Sequence, residues 1–307
     1  MQAISIVDNQ LVWVSGHDGQ VLRSSDQGNT WTVFEHPMEK KLQFRDIHGM
    51  NEENAIIMSS GSGSLSRIYR FQSPDQWQET FRMEDSIGFL DCMDFWDSQR
   101  GIAYGDAIDE YPYILTTKNG GISWERVISP TLPIAGAGEG GFAASGTCVE
   151  TGENGKAWIA TGANGNCRFL LTTDYGKSWE AVESPIVKGA AAGNTTISMT
   201  GKMGFAAGGD LSLSDQYTDN CAYTQDGGLT WKLTNKPITK GAFYGSALSD
   251  EKDQYFAFVC GPNGIDYTTD FEDKWKNLDT LNYWAVAFKG NIGFAAGTNG
   301  KILKISL

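Results

Sequence analysis

Six tryptophans, Trp31, Trp77, Trp124, Trp179, Trp231 and Trp275, recur at intervals of 44 to 55 residues. Four of them close a segment of one pattern: Thr/Ser, any, Asp/Asn, any, Gly, any, Thr/Ser, Trp. The copies are Ser24–Trp31, Thr117–Trp124, Thr172–Trp179 and Thr224–Trp231, with Asn119 standing in for the acid in the second. Worn versions end at Trp77 and Trp275. The pattern predicts a hairpin turn. An Asp or Asn side chain accepts hydrogen bonds from nearby backbone amides and closes the turn locally. Glycine supplies a position where the backbone can take positive φ. The Trp opens the next strand, offering a large apolar ring and an N–H that needs an acceptor. Asp26, Asp174 and Asp226, with Trp31, Trp124, Trp179 and Trp231, are therefore read as structural. A part repeated once per unit is scaffold, and one such turn has too few oxygens for calcium.

A period of that length matches a four-stranded blade with its loops. Each unit repeats one syntax: a first strand, a second ending in glycine, a third leading into the box, and a fourth starting at Trp. Gly204-Phe205-Ala206-Ala207-Gly208 and Gly293-Phe294-Ala295-Ala296-Gly297 are second strands of this kind. The fourth unit's first strand is expected over Phe142 to Val149. A seventh unit, from Trp284 to Ile305, has no box and no fourth strand. Seven such units exceed one open sheet and fit a ring. The expected fold is all-β: a seven-bladed β-propeller of four-stranded antiparallel blades, one domain over residues 1–307, with six or eight blades as fallbacks. Abundant glycine (37) and aromatics (12%) with few prolines (8) agree with many short strands and tight turns.

In a meander, loops alternate between two faces. The boxes share one face with the first-to-second turns. The second-to-third loops and the blade-to-blade crossings share the other. Long insertions fall on this second face, at Ser59–Ser66, Asp106–Pro112, Ser129–Gly141 and Gly209–Asn220, and such loops carry binding surfaces. They bring a set of acids, Asp106, Asp109, Glu110, Glu139, Asp210, Asp215 and Asp219, near Arg45 and the tyrosines Tyr111, Tyr217 and Tyr244. The set reads either as a funnel for a cation or polyhydroxylated ligand or as a solvated acidic rim. Two carboxylates among Asp106, Glu139 and Asp210 would suit a glycosidase if about 5–9.5 Å apart.

The net charge of −13 excludes the basic footprint that nucleic acid or an anionic membrane requires. No apolar run reaches membrane-spanning length, so no membrane insertion is expected. Met1 to Val7 lacks the regions of a signal peptide. The expected compartment is cytoplasmic, or periplasmic or extracellular if a leader has been removed. Cys92, Cys148, Cys167, Cys221 and Cys260 show no zinc spacing and read as small buried apolar residues, with one or two disulfides possible on export. Gly136–Gly141 formally matches GxGxxG, but it follows Pro130 and Pro133 and opens no helix. His17, His36 and His48 are not at ligand spacing. Asn194-Thr195-Thr196 is a sequon with meaning only in a eukaryotic secretory pathway. No metal site and no cofactor are expected, and the chain is expected to be a monomer.

The boxes resemble the Asp boxes, or BNR repeats, of sialidases, sortilin-type receptors and photosystem II stability/assembly factors. Phe44–Ile47, Phe95-Trp96-Asp97 with Gly101-Ile102-Ala103, Gly138–Cys148 and Gly208-Gly209-Asp210 are more similar to the bacterial branch of photosystem II assembly factor-like propellers, often labelled oxidoreductases. The resemblance implies a non-catalytic scaffold that binds a protein or a small polar or cationic ligand. It also implies that Arg45, Glu139, Ser145, Thr147 and Asp210 meet at the channel mouth. An arginine-rich patch like that of the photosynthetic members is not evident, nor is the arginine triad of sialidases, and no cofactor motif supports the oxidoreductase label. The alternative is a sialidase-like, Asp-box glycoside hydrolase.

Overall fold

Seven antiparallel sheets follow one another along the chain, each with its strands in sequence order. The computed structural model describes residues 1–36, 42–252 and 254–307. Blade one is Ala3–Ile6, Val12–Ser15, Gln20–Ser24 and Thr32–Glu35. Blade two is Phe44–Gly49, Asn54–Ser59, Arg67–Gln72 and Gln76–Arg82. Blade three is Leu90–Phe95, Gly101–Ile108, Tyr111–Thr117 and Glu125–Arg126. Blade four is Val149–Thr151, Ala157–Ala160, Arg168–Thr172 and Glu180–Glu183. Blade five is Ala192–Thr200, Met203–Asp210, Cys221–Thr224 and Lys232–Leu233. Blade six is Gly245–Glu251, Gln254–Gly261, Gly264–Thr268 and Lys276–Asp279. Blade seven has three strands, Tyr283–Lys289, Ile292–Gly297 and Ile302–Ser306. The seven-bladed propeller expected from the repeat is the fold.

Second strands are apolar along their middles because each blade is sandwiched between two neighbours. Ala55–Met58 and Ala157–Ala160 are buried on both sides. The ring closes apolar surface on apolar surface: Ile4, Val12, Val14 and Leu22 of blade one pack with Ala285, Phe294 and Ala296 of blade seven. Lys289 Nζ adds a hydrogen bond to Val7 O at 2.6 Å.

The boxes form the predicted turns. Thr30 N and Oγ1 donate to Asp26 Oδ1 and Oδ2 at 2.8 and 2.6 Å, and Gly28 N donates to Ser24 Oγ at 2.7 Å. The same three bonds recur around Asp174 and Asp226. The Trp sits one residue ahead of the fourth strand, and its Nε1 donates to the box glycine carbonyl, at 3.2, 3.0 and 3.1 Å for Trp31, Trp179 and Trp231. The box glycine is required twice over. Gly28 and Gly228 have φ of 82° and 93°, and a Cβ there would meet Phe294 or Trp158 of the preceding blade. Each box is thus also a joint between blades.

These contacts predict an acid response. The Thr30 hydroxyl and amide and the Ser24 hydroxyl hold Asp26 at about 2. At Asp226 desolvation pushes upward, and the Thr230 and Thr224 donors outweigh it, again to about 2. A depressed carboxylate stabilises the fold above its unfolded value of about 4. That contribution is lost as pH falls through about 2. Melting temperature is therefore expected to fall between pH 4 and pH 2 in excess of a variant carrying Asp26→Asn, Asp174→Asn and Asp226→Asn. Superimposable acid profiles for the two proteins would rule this out.

Repeated backbone bonds fix the two faces. Boxes bond to the first turn of their own blade: Gln27 N to Gln10 O, Gly120 N to Gln99 O, Tyr175 N to Gly155 O and Gly227 N to Lys202 O. On the opposite face, second-to-third loops bond to the exit crossing: Gly63 N to Gly88 O, Ala135 N to Glu110 O, Gly165 N to Gly189 O and Gly241 N to Gln216 O.

Three expectations need correction. Residues 142–148 are not strand; blade four's inner strand begins at Val149. This run of small residues turns instead, with Gly146 at φ 75° where a Cβ would strike the Asp46 carboxyl. The Asp106–Pro112 insertion is largely a strand hairpin, because Gly101–Ile108 and Tyr111–Thr117 stay paired to Ile108↔Tyr111. The cysteines are not all free: Cys92 and Cys148 form a disulfide between blade three and the crossing into blade four, while Cys167, Cys221 and Cys260 are buried thiols.

Candidate functional site

Four inner strands carry a one-residue bulge near their start on the insertion face. Pairing jumps from Phe44 to Asp46, Leu90 to Cys92, Asn194 to Thr196 and Tyr283 to Ala285, leaving Arg45, Asp91, Thr195 and Trp284 as the extra residues. A bulge re-aims the side chain it releases. In three of the four blades it also accounts for a glycine in the second strand opposite the bulge. A Cβ at Gly105, Gly208 or Gly297 would run into the carbonyl of Phe89, Gly193 or Asn282 in the facing strand.

Three of the four released side chains converge at the channel mouth. The Arg45 guanidinium lies 5.0 Å from the Trp284 ring centre, and Trp284 lies 5.0 Å from the Tyr244 ring. Arg45 Nη1 donates to Ala143 O at 2.7 Å, and Nε donates to Gln43 Oε1 at 3.0 Å. Burial lowers the Arg45 pKa, with Tyr244 and Asp91 opposing that shift, and the group remains a cation. Around it, Phe89, Phe142, Ala143, Ala144, Leu211, Tyr244 and Trp284 line a cleft of about 230 Å³.

Behind Arg45 lies a buried acid pair. Asp91 is 1% exposed and lies close enough to Asp106 for the two carboxyls to repel, and Asp106 Oδ1 accepts from Gly141 N at 3.2 Å. Desolvation, then repulsion by Asp106, pushes Asp91 well up, and desolvation raises Asp106 too.

The other candidates separate. Of the five residues the resemblance would gather, Ser145 and Thr147 are bonded to each other, and Ser145 Oγ donates to the backbone Tyr244 O at 2.7 Å. It continues a hydroxyl chain through Thr147 and Thr196 to Ser246, with links of 2.6, 2.7 and 2.9 Å. Glu139 is sealed away, 2% exposed, with Oε1 accepting from Arg168 and Thr161 at 2.7 Å each and Oε2 from Gly136 N at 2.9 Å. Asp210 closes its own turn, accepting from Ser212 N and Oγ at 2.9 and 2.6 Å. Asp215 and Asp219 face Lys240 and Lys236 at 3.2 and 3.5 Å. Tyr217 donates to Ile238 O at 3.0 Å, and Tyr111 lies in a separate cleft with Ile128 and Leu132. The acids named from sequence are thus dispersed or locally partnered. Among the described residues, no group of three or more His, Cys, Asp or Glu side chains could hold a metal ion.

Sequence reasoning missed Asp91, Trp284, Phe89, Phe142 and Leu211 as site residues. The available signal was position: Arg45, Asp91 and Trp284 are each the second residue of an inner strand.

No protein-family model and no curated protein matches the chain. Solved structures do. YCF48 bound to D1 peptide superposes with a TM-score of 0.68 at 12% identity, covering 100% of this chain and 96% of the other. YCF48 from Cyanidioschyzon merolae gives 0.66 at 16% identity, covering 99% and 95%. An ancestral GH74 enzyme gives 0.70 at 12% identity, covering 99% of this chain and 44% of that chain. At these identities the likeness is one of fold, that of β-propellers resembling YCF48 and the GH74 enzyme.

Proposed function

We propose that this propeller is a non-catalytic binding scaffold that takes a segment of a partner protein at the insertion-face mouth. The observation that carries the reading is the Arg45 cation set among Trp284, Tyr244, Phe89, Phe142 and Leu211. Such a cleft suits an apolar side chain flanked by a carboxylate, which the guanidinium can hold by charge-assisted hydrogen bonds. The ligand is therefore acidic and apolar rather than cationic. That the YCF48 propeller has been seen with a D1 peptide supports a peptide ligand for a fold of this shape. The hydrolase alternative has less support. Glu139 is locked in an ion pair, Asp106 accepts from the Gly141 amide, and Asp210 caps a turn.

The test uses a displayed peptide library selected against the protein, beside a panel of chromogenic glycosides. Selected peptides are expected to share a carboxylate next to an aromatic or aliphatic residue. Arg45→Ala is expected to weaken them by about 10- to 100-fold, the value of a hydrogen bond to a charged group, with the melting temperature held. Peptides indifferent to both Arg45→Ala and Trp284→Ala, or turnover of any glycoside, would refute the proposal.

A further inference from the structure

The channel holds a second cavity. The hydroxyl chain that begins at Tyr244 O, in the insertion-face cleft, ends at Ser246. Thr147 and Ser246 also border a separate space of about 360 Å³, enclosed by blades four, five, six and seven. Thr200 and Gly290 line the same space, and they lie at the first-to-second turns of blades five and seven. The cavity therefore opens on the face of the boxes. Its walls are of two kinds: Met199, Leu248, Val286 and Phe288 are apolar, while Glu150 and Asp250 are acids.

Most polar side chains of the inner strands have a structural duty, which is to accept from the amide edge of the next blade. Ser5 Oγ accepts from Gly49 N at 2.9 Å, Asp46 Oδ2 from Met93 N at 2.6 Å and Asp94 Oδ2 from Thr151 N at 2.8 Å. Thr196 Oγ1 accepts from Ser246 N at 3.0 Å, and Ser198 Oγ from Leu248 N at 3.1 Å. Glu150 stands beside the Met199 amide in the same way. A neutral hydroxyl does this work in blades one and five, so capping does not require a charge. The charge of Asp94 has a use, since His48 Nδ1 lies 3.6 Å from its Oδ1. No ion pair among the described residues engages Glu150. Burial, then repulsion by Asp94, pushes its carboxyl well up. A cation brought into the cavity would relieve both.

We propose that the box-face cavity binds a primary ammonium on an aliphatic stem, with the head at Glu150 and the stem against Leu248, Val286 and Phe288. An ammonium has three donors and no acceptor, which suits a carboxylate bordered by hydroxyl oxygens. The apolar walls suit methylenes and would be wasted on a bare metal ion. A hard divalent cation also wants six or more oxygens, and among the described residues no group of three acids, histidines or cysteines could hold one. Asp250 is exposed at the rim, where it extends the negative field toward an arriving cation. The two ends of the channel thus differ in sign, with Arg45 at the insertion face and Glu150 behind the boxes. A free alkylamine and a partner protein's lysine side chain share this chemistry.

Isothermal titration calorimetry compares pentylamine with pentanol, which has the same stem and no charge. The amine is expected to bind saturably, with the alcohol at least about 10-fold weaker, the value of one hydrogen bond to a charged group. Glu150→Gln keeps the shape and an acceptor for the Met199 amide. It should weaken the amine by at least about 10-fold, with the alcohol unaffected and the melting temperature not lowered. Asp250→Lys changes only an exposed rim residue, so it reports on the site even if the buried variant fails to fold. It should weaken the amine and spare the alcohol. A short peptide with one lysine between glycines distinguishes the source: binding tighter than pentylamine assigns a partner's side chain, and equal or weaker binding assigns a free amine. Arg45→Ala should leave all of this intact, so the two ends of the channel stand or fall separately. Equal binding of amine and alcohol, no saturable binding of the amine, or amine binding indifferent to a folded Glu150→Gln variant overturns the proposal.

Discussion

Replacing Trp179 with alanine is expected to cost about 3–5 kcal/mol of unfolding free energy, the range for deleting a buried aromatic ring. The ring is 4% exposed and belongs to the largest apolar cluster, which runs from Ile102 and Ile114 of blade three to Ile197 and Ala206 of blade five. Its Nε1 donates to Gly176 O at 3.0 Å, so the side chain both fills space and closes its own box. A Cβ at Gly176 would lie against Thr116 of blade three, so this box too sits at a joint between blades. Truncation would open a cavity at an inter-blade joint, where the backbone of two sheets has to move before the gap can collapse. Trp31→Ala provides the internal comparison. That ring is half-buried and meets Phe294 edge-on at 6.4 Å, and its loss is expected to be smaller. Urea titrations of the three proteins measure the effect. A loss below about 1 kcal/mol for Trp179→Ala would remove the box tryptophans from the account of stability.

Arg168→Met is expected to cost about 3–5 kcal/mol, because it strands the Glu139 carboxylate inside the protein. Arg168 Nε reaches Glu139 Oε1 at 2.7 Å, and Nη2 ties down Ile134 O at 2.8 Å. Methionine fills much of the same volume, so the loss reports the unpaired charge rather than a cavity. Adding Glu139→Gln removes that charge while keeping a side chain that can still meet Thr161 and Gly136. The double variant is therefore expected to regain most of the stability. If it is no better than the single variant, the pair matters for some reason other than charge compensation. The cluster's place explains why the chain keeps it: Glu139 and Arg168 pin the 129–141 crossing that leads to Phe142 and Ala143, the floor of the Arg45 cleft.

The architecture was legible because it is repetitive and local. A Ser/Thr hydroxyl, an acid, a glycine and a tryptophan within eight residues settle a turn without help from the rest of the chain, and Asp26, Asp174 and Asp226 bear this out bond for bond. The expected sharing of faces followed from strand alternation alone. The Phe142–Cys148 stretch failed for the opposite reason. Its apolar and small residues resemble a strand in composition, but Gly146 and the Asp46 carboxyl beside it force a turn that only the folded ring supplies. The acids of the insertion face failed similarly: a carboxylate's role depends on the partner it meets, and Arg168, Lys236 and Lys240 lie 29, 17 and 25 residues from theirs.

From the chain alone came the number of blades and the turn chemistry, because periodicity and turn bonding are properties of short segments. The tertiary structure decided which side chains face one another. Bulges in three inner strands turn Arg45, Asp91 and Trp284 toward the channel mouth. A bulge depends on how two strands settle against a third, so which side chain it releases, and toward what, is set by packing between blades.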